Sequence, residues 1–150
     1  MSLKSFLGWL IGASSRLSDF EKLILNSVRL RLDAKTADIW DKQILAINKI
    51  QRLPQGSEIN FYRMKHGKPS FDPELSFANN AKELKVAKIV IELANVSAKL
   101  TAIVWAVNGF LFSIEYKGNP DFFTEAADED TRSEIKIACE LVDKDFNATQ

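Results

Sequence analysis

Between residues 100 and 116 the chain reads LTAIVWAVNGFLFSIEY, two apolar runs rich in β-branched and aromatic residues joined by Asn108-Gly109. Asn-Gly between two such runs predicts a two-residue hairpin of type I′, whose central residues both need positive φ. Strict alternation after the turn puts Phe110, Phe112, Ile114 and Tyr116 on one face and Ser113 and Glu115 on the other. Before the turn Ile103, Trp105 and Val107 alternate with Ala102, Val104 and Ala106, so neither face is plainly polar. Such a hairpin belongs at the centre of a sheet covered on at least one side by helices.

The helices come first in the chain. Ser18-Asp19-Phe20-Glu21 is a capping box, with a hydroxyl and a carboxylate placed to take each other's backbone N–H groups. It opens a predicted helix to about residue 31 that turns Phe20, Leu23, Ile24 and Val28 inward. Residues 33–35 make a short connection, and a second helix is expected over about 36–51 with the stripe Ala37, Trp40, Ile44, Ile47 and Ile50. Leu53-Pro54-Gln55-Gly56 stops it. So short a connection predicts an antiparallel helical hairpin.

From Glu58 the period changes to two. Ile59, Phe61 and Arg63 alternate with Asn60, Tyr62 and Met64, a strand that ends at His66-Gly67-Lys68-Pro69. A short strand is expected within 70–77, confined to an edge by Pro73. After the Asn79-Asn80 turn, a long strand sets Ala87, Ile89, Ile91 and Leu93 against Lys82, Leu84, Val86, Lys88 and Val90. Gly118-Asn119-Pro120 closes the sheet region, and the short connections predict an antiparallel, meander-like sheet of about four or five strands. Toward the end, Ile135, Ala138, Cys139, Val142 and Phe146 fit helical spacing, whereas Ile135, Ile137, Cys139 and Leu141 alternate. The Ala, Glu, Lys and Leu content there favours the helix, with the strand as the other reading.

The first segment gives an amphipathic stripe, Leu3, Phe6, Leu7, Leu10 and Ile11, interrupted by Gly8 and Gly12. A helix docked on the domain is the simplest reading. Attachment to a membrane surface through residues 3–11 is a second, and a short signal peptide over 1–14 a third. No apolar run approaches the ~20 residues that span a bilayer. At 150 residues the chain is expected to form one domain: segment 1–17, helical hairpin 18–52, sheet 58–117 and an acidic segment 121–150.

Charge adds one long-range feature. The whole chain balances 20 basic against 20 acidic side chains, which argues against a dedicated nucleic-acid binder. The balance is uneven, however: residues 121–150 carry 9 acidic and 3 basic groups, and residues 1–57 carry 9 basic and 5 acidic. A single cysteine, Cys139, excludes an internal disulfide and every multi-cysteine zinc pattern, and points to a reducing compartment such as the cytoplasm.

Candidate chemistry is sparse. His66 is the one histidine and lies in a predicted turn; Cys139 is followed by Glu140 and has nothing electropositive nearby in sequence. No glycine-rich phosphate loop or nucleophile elbow occurs. Asp128-Glu129-Asp130 lacks the alternate acidic positions and central glycine of a calcium loop. It suits a basic partner surface better than a metal, and Phe122-Phe123 upstream suits either a partner anchor or a staple onto the core. Residues 61–68 interleave aromatic and basic residues, and the lysines there fit a protected edge as well as a phosphate backbone. No cofactor is implied.

Helices followed by an antiparallel sheet resembles, in element order alone, several small α+β folds, among them the cone-shaped NTF2-like fold and small bacterial immunity proteins. No residue carries over from that likeness. The expected fold is a single α+β domain, an N-terminal helical hairpin on an antiparallel sheet with a C-terminal helix or strand. The expected function is non-catalytic protein binding, as in a small regulatory or immunity-type protein, through Asp128, Glu129, Asp130, Phe122 and Phe123. The alternative is a small-ligand carrier or enzyme with an apolar pocket between sheet and helices, lined by Tyr62, Trp105, Phe110 and Phe112.

Overall fold

In the computed structural model, residues 17–94, 96–128 and 134–147 are described. Helix α1 (Asp19–Arg29) begins at the capping box: Glu21 N–H donates to Ser18 Oγ at 3.1 Å and Ser18 N–H to Glu21 Oε1 at 2.7 Å. Helix α2 (Ala34–Ala46) is capped by Asp33, whose Oδ1 accepts from Thr36 N–H. Arg29 grips Asp41 through two bonds of 2.7 and 2.8 Å, which fixes the two helices against each other. The amphipathic segment 1–16 lies outside the described residues.

The sheet has six antiparallel strands: β1 (Lys49–Arg52), β2 (Glu58–Tyr62), β5 (Leu84–Leu93), β6 (Val96–Val107), β7 (Phe110–Lys117) and β8 (Ile135–Leu141). Their order is β1-β2-β7-β6-β5-β8, a β5-β6-β7 meander extended by the β1-β2 hairpin on one side and β8 on the other. A two-residue pair, β3 (Met64–Lys65) and β4 (Lys68–Pro69), stands apart. Helix α3 (Asp121–Asp128) lies between β7 and β8 in the chain and packs on α1.

Three stretches depart from the sequence reading. The second helix ends at Ala46, and Ile50 belongs to β1. Asn48 draws the chain onto β2: its side chain pairs with both backbone groups of Met64, and its N–H donates to Tyr62 C=O. Residues 70–77 form no strand; Pro73–Leu75 is a 3₁₀ turn capped by Asp72, and Phe77 beyond it enters the core. Residues 135–141 are the strand of the two readings, because β5 offers an edge on which Ile135, Ile137, Cys139 and Leu141 continue the core face. The helical spacing had grouped Phe146 with them; it is buried in a turn, against Phe77.

The Asn108-Gly109 turn forms as expected, with φ of 53° and 91°. It is tied to three segments: Asn108 N–H donates to Ala81 C=O, and Gly109 C=O accepts from Phe77 N–H and Gln43 Nε2. A Cβ at Gly109 would run into Ser76 Oγ and sit 3.1 Å from Asn80 Cβ. Positive φ and crowding together predict that Gly109→Ala costs about 2–3 kcal/mol. Gly67→Ala, in an open turn with φ of 75°, carries only the backbone part. Urea unfolding of the two variants side by side measures the difference.

One sheet face is the core. Ile59, Ile114, Val104, Ala87 and Leu141 lie in a single cross-strand row, with Tyr116, Ala102, Ile89 and Cys139 in another. Phe20 and Ile24 of α1, Trp40 and Ile44 of α2, and Phe123 of α3 belong to the same buried cluster. Among the described residues, no side chain of the opposite face belongs to it. Among the described residues the result is two layers, with helices on one face only, and the other is called the helix-free face in that sense.

Candidate functional site

The opposite face is defined by register. A β-bulge in β7 pairs Trp105 with Ser113 but Ala106 with Leu111, leaving Phe112 as the extra residue. The bulge breaks the alternation expected for β7. Ile114 and Tyr116 keep company with Leu111 in the core, whereas Phe112 turns to the helix-free face beside Trp105. Two rows then cross that face: Asn60, Ser113, Trp105 and Lys85, and next to it Glu58, Glu115, Ile103, Lys88 and Glu140.

Trp105 and Phe112 floor an open groove of about 230 Å³ walled by Glu58, Glu83 and Glu115. Glu58 stands directly opposite Glu115 in the ladder, an arrangement that costs a sheet a few tenths to about 1 kcal/mol. Glu115 is held: Trp105 Nε1 donates to it at 3.2 Å and Lys117 pairs with it at 3.3 Å. Lys85 Nζ lies 5.4 Å from the centre of the Trp105 ring, so the ring already attracts a cation. Tyr62 meets Phe112 edge-on at 5.5 Å between ring centres. Beside them Asn60 is 8% exposed, and its Oδ1 is buried with no hydrogen-bond partner among the described residues.

The four aromatic residues expected to line an interior pocket are therefore distributed otherwise. Trp105, Phe112 and Tyr62 share the helix-free face, while Phe110 is buried near the hairpin turn under Phe71 and the Arg63 guanidinium. Between sheet and helices the space is filled by Trp40, Phe20, Ile24, Ile44 and their neighbours. Arg63 is itself buried, its three bonds going to Gln43 C=O and Leu111 C=O. Burial lowers its pKa to about 10, so it is a cation at neutral pH, held by the negative end of α2.

The Phe122-Phe123 pair divides. Phe123 stacks on Phe20 in the core, and Phe122 is 52% exposed. Asp128 is the last residue of α3, and Glu129 and Asp130 lie outside the described residues. His66 occupies the β3–β4 turn with φ of 54°, and Cys139 lies on β8, its thiol pKa raised by burial. Among the described residues, no three His, Cys, Asp or Glu side chains converge as a metal site would require. Nor, among them, is any helix long and apolar enough to cross a membrane.

On the helix side, a recess of about 210 Å³ opens between α1, β2 and α3, with Glu21, Arg52, Asp121 and Thr124 in its lining. Glu21, already engaged by the capping box, accepts two bonds from Arg52 at 2.8 and 3.1 Å, which ties β1 to α1. Tyr116 lines the recess from below, its pKa raised by burial and then by the Glu21 charge. An unfolded tyrosine ionises near pH 10, so above that pH the unfolded chain releases a proton that folded Tyr116 keeps. Its stabilising contribution is whole below pH 10 and lost as the pH rises further. Arg63, with its lowered pKa, acts in the opposite sense over the same interval. Tyr116→Phe should therefore flatten the fall in stability above pH 10, read by chemical unfolding at pH 9 and pH 11.

Compared with known proteins, the chain matches no family model, no curated protein and no solved structure.

Proposed function

We propose that this chain is a non-catalytic protein-interaction module that presents its helix-free sheet face to a partner with a basic surface. One observation carries the reading. The face is crossed by half-buried aromatics set among carboxylates, at a place where two glutamates oppose each other in the ladder. A folded domain gains nothing internally from that opposition, whereas a basic partner relieves it. Aromatic side chains among charges are also what interface hot spots are made of. A small regulatory or immunity-type protein of the bacterial cytoplasm is the setting such a module fits, and the single cysteine accords with that compartment.

Phe122, exposed on α3, and the acidic run Asp128-Glu129-Asp130 that follows in the sequence are the second candidate, and the test separates the two. Lysate of the source cells is passed over immobilised wild type, Trp105→Ala, and a triple variant carrying Asp128→Asn, Glu129→Gln and Asp130→Asn. A stoichiometric partner held by wild type and the triple variant at low salt, and lost with Trp105→Ala, is the expected result. Loss with the triple variant alone would move the interface to the C-terminal segment. No partner on any of the three would sink the interaction reading and turn attention to small ligands.

A further inference from the structure

We infer that the groove over Trp105 and Phe112 receives an arginine side chain from a basic segment of the partner, an inference that rests on the reading just given and specifies its chemistry. The groove is one-sided in polarity. Glu58, Glu83 and Glu115 wall it, and among the described residues no lysine, arginine or histidine lines it, Lys85 and Lys117 reaching only Trp105 and Glu115 at its edge. Among the described residues Glu58 and Glu83 make no ion pair. Asn60, in the next position of β2 on the same face, lies beside the groove and not in its lining, and its buried Oδ1 has no donor among the described residues. A ligand that fits must therefore donate several hydrogen bonds, carry positive charge and lie flat on an aromatic ring.

A guanidinium meets all three requirements. It is planar, stacks on indole and phenyl faces, and forks its donors toward carboxylates, whereas an ammonium is a compact, strongly hydrated point charge. Lys85, already 5.4 Å from the Trp105 ring centre, occupies part of the attractive field and competes with an incoming cation. That competition gives the inference an unusual signature, because removing a charged residue of the domain should tighten binding.

The test uses the full chain and three blocked hexapeptides of one sequence carrying two arginines, two lysines or two citrullines. Binding is followed at the Trp105 indole N–H by ¹H–¹⁵N NMR, that peak being assigned by its absence in Trp105→Phe. Glu115 is left intact because its bond to Trp105 Nε1 is part of the probe. The arginine peptide should shift the peak saturably at low salt, the lysine peptide should bind several-fold more weakly, and the citrulline peptide should have no effect. Glu58→Gln with Glu83→Gln should weaken the arginine peptide about tenfold, and Lys85→Gln should strengthen it. Equal shifts from the citrulline peptide, or arginine binding untouched by the double variant, would overturn the inference. Should the peptide fail while the captured partner is still lost with Trp105→Ala, the arginine inference falls and the sheet-face reading stands. A partner retained by Trp105→Ala removes both.

Discussion

Replacing Gln43 by Leu is expected to cost about 4 kcal/mol, more than a buried glutamine's volume would suggest. Gln43 is fully buried in the last turn of α2, and its amide joins three segments. Nε2 donates to Leu75 C=O at 2.6 Å and to Gly109 C=O at 3.0 Å, while Oε1 accepts from Leu111 N–H at 2.7 Å. Leucine fills the space but withdraws one bond from each of these backbone groups. Gly109 C=O keeps its bond from Phe77 N–H. Leu111 N–H loses its bond inside the core and Leu75 C=O loses its bond in a part-buried position, at about 1–3 kcal/mol for each group left unpaired. The urea midpoint should fall with the slope unchanged. Gln43→Glu is the companion variant: it keeps the acceptor for Leu111 N–H and loses the donor, so it too should be destabilised. A leucine variant within 1 kcal/mol of wild type would show that the amide fills space and does not organise the turn.

Phe20→Ala is expected to have an effect of the same size, about 3–5 kcal/mol, by a different route. Phe20 is 1% exposed and lies between the Tyr116 and Phe123 rings, each 6.1 Å from it centre to centre. The ring joins α1 to the sheet and α3 to both. Truncation opens a cavity whose walls are held by separate elements: Tyr116 by the β7 ladder and Phe123 by α3. Walls fixed in this way collapse poorly, which puts the cost in the upper part of the range. Phe122→Ala, one residue away but exposed, should change stability by less than about 0.5 kcal/mol. Thermal or urea unfolding of the two variants checks both numbers.

The parts of the fold that were legible in the sequence are those in which local chemistry and tertiary packing agree. Ser18 and Glu21 cap α1 as their spacing requires, and Asn108-Gly109 takes the positive φ values that only such a pair accepts readily. The end of α2 was not legible, because Ile47 and Ile50 suit helix and strand alike; Asn48 decides between them through bonds to Met64, sixteen positions away. The bulge at Phe112 was equally hidden. Nothing in LFSIEY marks an inserted residue, yet that residue reverses which aromatics face the helices. The groove could not be read at all without register. Glu58 and Glu115 are far apart in sequence and meet only because β2 pairs with β7. Gln43 was available in principle, since it lies three positions after Trp40 on the inward stripe, but a helical glutamine gives no sign of which backbone groups it will satisfy.

The claim that this domain works through its helix-free sheet face is tested most directly by photo-crosslinking in the source cells. A photoreactive phenylalanine analogue is placed at Val107, which lines the groove, and separately at Asp38, exposed on α2. A single adduct of fixed mass from position 107, with none from position 38, is the predicted result. Adducts from position 38 and none from position 107 would place the interface on the helices and contradict the account.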